Sequence, residues 1–262
     1  MKLSISNIGW DAENDNSVYS LMREYGFSGL EIAPTRIFPD SPYDKTEEAH
    51  AWAEELKSRY GFLIPSMQSI WFGRQEKLFG TEGEREILID YTKKAIDFAA
   101  AIHCKNLVFG CPKNRVIPDN ADWQLGVSFF KLLGDYAAER GTVIGMEANP
   151  VIYNTNYIND TASALKLIEE VASPGFLLNL DVGTMIQNSE SVDLLQGRVR
   201  YVNHVHISEP GLKPIQRRRL HKKLRDILRA ENYQGFISIE MGKTDDLNIL
   251  GNTMKYVGGM WK

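Results

Sequence analysis

Short apolar runs alternate along the chain with longer stretches whose apolar residues return every three to four positions, the signature of strands alternating with amphipathic helices. The runs at 2–7, 29–33, 64–68, 106–109, 143–147, 176–181, 202–208 and 236–240 read as eight strands. The segments 17–25, 46–60, 82–102, 122–140, 161–171, 191–195, 214–230 and 246–257 read as the helices that follow them. Thr46 with Glu48 nearby, Asp122 and Thr161 mark helix starts, and Gly26, Gly61 and Gly141 mark helix ends. Repeated βα units build a parallel sheet with helices outside it, and eight of them in about 250 residues predict an α/β fold, a single (β/α)8 TIM barrel. No linker or low-complexity tract divides the chain, so residues 1–262 are expected to form one domain. An open doubly wound sheet would use fewer strands and a glycine-rich first turn, whereas the first turn here is Asn7-Ile8-Gly9-Trp10.

Composition narrows the classes of function. The 262 residues are 43% hydrophobic and 24% charged, with a formal net charge of −4, the balance of an ordinary globular protein with a real core. Mild acidity argues against a nucleic-acid binder or an anionic-membrane binder. No apolar run approaches the roughly 18 residues that span a bilayer, and residues 1–7 lead straight into a strand, so a cytoplasmic protein is expected. Cys104 and Cys111 flank the strand at 106–109. An extended segment of that length holds them about 20 Å apart, too far for a disulfide, which predicts free thiols.

The candidate chemistry comes from strand parity. Successive strand residues alternate between the barrel interior and the helix layer, and barrel active sites gather where the strands end. Glu147 ends the fifth predicted strand, Asp181 the sixth and Glu240 the eighth, while His206 lies near the end of the seventh. These four should form one ring at one end of the barrel, with Gly145, Asn179, His204 and Ser238 a layer below. Three converging carboxylates repel one another and lose hydration, so they call for protons or a cation. One divalent metal ion satisfies them: Mn²⁺ suits three oxygens and an imidazole best, with Mg²⁺, Co²⁺ and Zn²⁺ also compatible. His204 is expected to be a packed, hydrogen-bonded core histidine.

The segments GMEANP (145–150), NLDVGTM (179–185), HVHISEP (204–210) and SIEMG (238–242), with GLEIA at 29–33, resemble the xylose-isomerase-like TIM-barrel superfamily of sugar and sugar-phosphate isomerases and epimerases. The resemblance extends over essentially the whole chain. It implies that Glu147, Asp181, His206 and Glu240 bind one divalent metal, that Glu147 and Glu240 are the catalytic base and acid, and that Asp181 and His206 mainly hold the ion. The reaction it implies is proton transfer on a carbohydrate through a metal-stabilised enediolate. A dehydratase acting on a polyol or keto-sugar would share that chemistry. A non-catalytic barrel serving as a binding subunit would keep only the fold, and the complete ligand set argues against it. By analogy a homodimer is expected. Two departures stand out: where ketose 3-epimerases carry a His three residues after the strand-six Asp, this chain has Thr184, and where they carry an Arg after the strand-seven His, it reads Glu209-Pro210-Gly211-Leu212-Lys213.

The loops 34–36, 68–74 and 111–115 should rise over the same rim. Arg36, Arg74, Lys113 and Arg115 meeting there, with Lys243 in reach, would favour an anionic carbohydrate such as a sugar phosphate, sugar acid or nucleotide sugar; the alternative is ordinary solvated loop charge. Gln68, Trp71 and Asn149 complete the substrate-binding candidates. Trp71 and Phe72 offer either an apolar wall for a sugar or an anchor for their loop, and Asn149, Asn154 and Asn156 follow Glu147 where they could meet hydroxyls. The helix at 214–230 carries a basic face, read as the solvated outside of the barrel. Gly242-Lys243-Thr244 is not a phosphate loop, since Ile237 stands where that motif needs a glycine.

Overall fold

The computed structural model describes residues 1–261. Its strands are β1 (Lys2–Ser6), β2 (Gly29–Glu31), β3 (Leu107–Phe109), β4 (Ile144–Met146), β5 (Phe176–Asp181), β6 (Val202–Ile207) and β7 (Phe236–Ile239). All pair in parallel, in the order β2-β1-β7-β6-β5-β4-β3. Helices α1 (Asp15–Tyr25), α2 (Pro34–Ile37), α3 (Thr46–Tyr60), α4 (Glu82–Ala101), α5 (Trp123–Glu139), α6 (Thr161–Val171), α7 (Val182–Gln187), α8 (Arg219–Ala230) and α9 (Leu247–Trp261) fill the connections. The architecture is thus an α/β, TIM-barrel-like curled parallel sheet with helices around it.

Among the described residues the sheet has seven regular strands, not eight. The segment expected as the third strand, 64–68, still runs between the two edge strands and bonds to both. Leu30 N donates to Leu63 O at 2.9 Å and Gln68 N to Ile32 O at 2.8 Å on one side; Met67 N donates to Asn106 O at 2.9 Å and Val108 N to Met67 O at 2.8 Å on the other. Only isolated bridges result, because Pro65 has no N–H to give the ladder.

Local chemistry explains most element ends and several shifts of boundary. Gly26 (φ 78°) and Gly61 (φ 76°) close α1 and α3 in the left-handed conformation that glycine adopts without a Cβ penalty. Asp122 caps α5 through Gln124 N. The cap of α6 is Asp160 rather than Thr161, since its carboxylate accepts from Ser163 N while the Ser163 hydroxyl reaches back. Helix α3 starts without a side-chain cap, so Thr46 does not play that part. Helix α8 begins at Arg219 rather than 214, leaving Arg217 and Arg218 in the preceding loop. The expected helix at 191–195 is a 3₁₀ turn, Val192–Leu195. The pattern missed two helices: α2, whose residues 34–36 read as a loop, and α7, which starts directly after Asp181, whose carboxylate caps it.

Strand parity divides the interior in two. Leu3, Ile5, Leu30, Ile144, Met146, Leu178, Leu180, Val205, Ile237 and Ile239 are buried. Phe176 stacks on Phe130 of α5, which fixes the outer direction of this set. Each such side chain contributes roughly 1.5–3 kcal/mol of burial free energy. Residues of the other parity are polar and equally buried: Ser4, Ser6, Glu31, Asn179, His204, His206 and Ser238. Contacts across the barrel show that they face its axis. Glu31 on β2 reaches His206 on β6, and Asn106 Nδ2 donates to Asn179 Oδ1 at 3.2 Å and to Ser66 Oγ at 3.0 Å.

This crowding explains Gly145. A Cβ there would stand 2.4 Å from Asn106 Oδ1 and 3.1 Å from Asn179 Cβ. Asn106 is held on both ends of its amide, its Oδ1 accepting from Asn203 Nδ2 at 2.8 Å. Gly145→Ala is therefore expected to cost about 1–3 kcal/mol of unfolding free energy in a urea titration. An unchanged midpoint would mean that Asn106 swings aside freely.

Candidate metal centre

Four neighbouring staves of the sheet bring four donors together. Glu147 follows β4 by one residue, Asp181 ends β5, His206 lies on β6 and Glu240 follows β7. One ligand atom from each lies within 4.8 Å of all the others. His206 Nδ1 is 3.1 Å from Glu147 Oε1 and 3.3 Å from Glu240 Oε2. His206 is fully buried, and Glu147 and Glu240 are 9% and 8% exposed.

The carboxylates are fixed by neutral donors. Asn179 Nδ2 donates to Glu147 Oε1 at 2.9 Å, and Asn149 Nδ2 to Glu147 Oε2 at 3.1 Å. Asp181 Oδ2 accepts from Thr184 N at 2.7 Å and from Thr184 Oγ1 at 2.8 Å, while Ser208 Oγ donates to Asp181 Oδ1. Among the described residues no Lys or Arg pairs with any of these carboxylates. Arg115 comes nearest in role, yet its guanidinium donates to Glu147 O at 3.0 Å and Asn149 Oδ1 at 2.7 Å, not to a carboxylate.

Charge perturbations follow from that isolation. Burial pushes Glu240 up to about 7, against the pull of His206 and with the push of Glu147 and Asp181. Burial and the charge of Glu147 raise Asp181. His206 is raised as well, for the opposite reason: burial disfavours its charge, but Glu31 and Glu240 outweigh it and hold the imidazolium well above its usual range. Without another cation, one protonated imidazole answers several buried acids. Three oxygen donors and an imidazole nitrogen converging with no ammonium or guanidinium among them fit a divalent ion. Glu147, Asp181, His206 and Glu240 could hold it.

Glu31 is the residue that the sequence reading leaves without a role. Fully buried on β2, it accepts from His206 Nε2 at 2.9 Å through Oε2 and from Gln68 Nε2 at 3.0 Å through Oε1. His204 Nε2 lies 3.0 Å from the same Oε2, off the line of a hydrogen bond. Its two histidine partners pull the Glu31 carboxyl well below its usual range despite burial. Parity carries the missed signal: an acid between Leu30 and Ile32, which lie against the helices, must face the axis. Glu31, His204 and His206 also form a close group of donors. The His206 to Glu31 hydrogen bond makes it a support for the ring.

The loop residues take varied places. Gln68 lies under the ring on Glu31 and Ser6, and Asn149 holds Glu147. Trp71 is an anchor, buried on Phe109 with ring centroids 4.6 Å apart and its Nε1 donating to Thr92 Oγ1 at 2.8 Å. Phe72 is exposed. The cations are not gathered into one pocket. Arg36 pairs with Asp15 at 2.6 Å and stacks over Trp10, Arg74 pairs with Glu76, and Lys243 pairs with Asp11 at 3.0 Å. Arg115 is fully buried, and burial lowers it to about 10. Lys113 is exposed and forms no ion pair among the described residues. Asn156 clasps Ile117 by two hydrogen bonds of 2.8 Å, and Asn154 sits in a left-handed turn at φ 60°. Cys104 and Cys111 are free, and burial pushes both thiols up to about 12. Among the described residues no helix is long and apolar enough to cross a membrane.

Known structures share this fold from end to end. The 3-keto-D-glucoside 4-epimerase of E. coli, in its apo form, superposes with a TM-score of 0.78 at 20% identity over 98% of both chains. A D-psicose 3-epimerase determined with D-fructose gives 0.78 at 16% identity, covering 100% of this chain and 99% of that one. The D-psicose 3-epimerase of Clostridium cellulolyticum H10 with D-tagatose gives 0.74 at 17% identity, covering 100% and 98%. No curated protein sequence matches the chain. The family model of the xylose isomerase-like TIM barrel matches residues 19–256, and the chain belongs to that family.

Proposed function

We propose that this protein is a divalent-metal-dependent isomerase or epimerase of a small carbohydrate, acting at a carbon beside a carbonyl. One observation carries the reading: Glu147 and Glu240 approach His206 Nδ1 from staves on either side of β5 and β6, in a ring of acids that no Lys or Arg among the described residues neutralises. The fold shared with sugar epimerases supports it. An ion held by Glu147, Asp181, His206 and Glu240 would acidify the C–H between a chelating carbonyl and hydroxyl.

The chain's own residues supply the proton transfers. Glu147, with Oε1 held by Asn179 and Oε2 by Asn149, keeps one fixed orientation and takes the proton from one face. Glu240, from the opposite side of the ring, gives a proton of its own to the other face, and exchange with water then resets both acids. Asp181, locked by Thr184 and Ser208, and His206 hold the ion. With Arg36, Arg74 and Lys243 already paired, an anionic group on the sugar would rest chiefly on Lys113.

Chelator-stripped protein is expected to take up one Mn²⁺ per chain by metal analysis, and Asp181→Ala to lose it. In D₂O, a panel of ketoses should yield a substrate that gains deuterium at carbon without losing water. Water loss instead would place the enzyme among dehydratases. Glu240→Gln should then lower kcat by about 10²–10⁴-fold with the metal still bound.

The raised groups also set a pH dependence. Glu240, Asp181 and His206 each bind a proton more tightly folded than unfolded, so their stabilisation is complete at low pH and lost as pH rises through the folded values. Glu31, shifted downward, acts only in acid. The metal-free protein should therefore melt at a lower temperature at about pH 8.5 than at about pH 5.5. Bound metal should raise the melting temperature more at the higher pH, where fewer protons compete. A metal-induced rise that is larger in acid would contradict this.

A further inference from the structure

We propose that Glu31 is a positioning residue of the metal centre: from the opposite side of the barrel it fixes the His206 ring so that Nδ1 faces Glu147, Asp181 and Glu240, and Gln68 fixes Glu31 in turn. The proposal rests on the metal-dependent reading above.

An imidazole can present either nitrogen by a ring flip and can carry its proton on either one, so a ligand histidine needs something to choose. Here Nε2 donates to Glu31 Oε2 at 2.9 Å, which turns Nδ1 toward the ring of acids, 3.1 Å from Glu147 Oε1 and 3.3 Å from Asn179 Nδ2. The other oxygen of Glu31 accepts from Gln68 Nε2 at 3.0 Å, and Gln68 Nε2 is also 2.7 Å from Ser6 Oγ. The order of control runs from β1 and the 63–68 segment through β2 to β6, across the axis. Glu31 has no exposure and, among the described residues, no Lys or Arg partner. A lone carboxylate in such a place is costly, and an apolar residue would fill the space more cheaply. What it supplies is direction: a carboxylate behind a metal-binding imidazole raises its basicity and locks its tautomer.

Mn²⁺ titration by calorimetry tests this on the purified protein. Glu31→Gln is expected to bind one ion with about 10–100-fold weaker affinity. Glu31→Asp, which keeps the charge but retracts the oxygens, should weaken binding similarly, whereas a purely electrostatic role would be rescued by it. A second readout needs only the wild type: in ¹⁵N-histidine spectra of the Zn²⁺-loaded protein, His206 should carry its proton on Nε2. Equal Mn²⁺ affinity in wild type and Glu31→Gln, or a proton on Nδ1 of loaded His206, overturns the role of Glu31 and leaves the metal reading standing. A wild type that binds no divalent ion overturns both. Should Glu31→Gln fail to fold, the wild-type spectrum decides.

Discussion

Like charges held together in a dry place constrain everything else in this protein. Glu31, Glu147, Asp181 and Glu240 point at or near one axis, and among the described residues the positive charge paired with them is the His206 imidazolium. Mutual repulsion and lost hydration would push such groups apart or protonate them. They stay because each is anchored on or beside a sheet bonded to its neighbours and because amides and hydroxyls, from Asn149, Asn179, Thr184, Ser208 and Gln68, occupy spare oxygens of Glu147, Asp181 and Glu31. The barrel wall supplies the restraint, and the polar lining supplies the hydrogen bonds.

That arrangement also explains why positive charge is kept at a distance. Arg36 on α2, and Arg74 and Lys243 on loops, are each engaged by an acid of their own: Asp15, Glu76 and Asp11. Arg115 is the cation brought close, and its fork is turned onto a backbone carbonyl and an amide. A guanidinium on the Glu147 carboxylate would compete with a metal ion; one step removed, it stiffens Asn149 and hence the acid. Thr184, in the position where ketose 3-epimerases carry a histidine, ties Asp181 to the Ala148 carbonyl at 2.8 Å.

Much of the fold was legible because two periods are written plainly into the chain. Alternation by two identifies strands, and return by three or four identifies helices. The convergence of Glu147, Asp181, His206 and Glu240 followed from parity and strand ends. Glu31 was equally accessible to the parity argument, but one acid in GLEIA has no sequence neighbour to suggest a histidine 175 residues away. The 64–68 segment looked like a strand because Ile64 and Met67 sit in a short run at strand spacing from its neighbours; Pro65 decided otherwise. Helix α7 was hidden because its start, Asp181, reads as a strand-end acid and serves also as a cap.

The sequence by itself determined the order of elements, which residues face the axis and which acids end which strands, since these depend on local periods and short-range caps. Only the tertiary structure decided which groups meet: Glu31 with His206, Gln68 with Glu31, Arg115 with Asn149, and Arg36, Arg74 and Lys243 with Asp15, Glu76 and Asp11. Those meetings depend on the closing of the sheet and the path of each loop, distances that no spacing along the chain encodes. A hydrogen bond forms or fails over a few tenths of an ångström, and that scale belongs to the folded molecule.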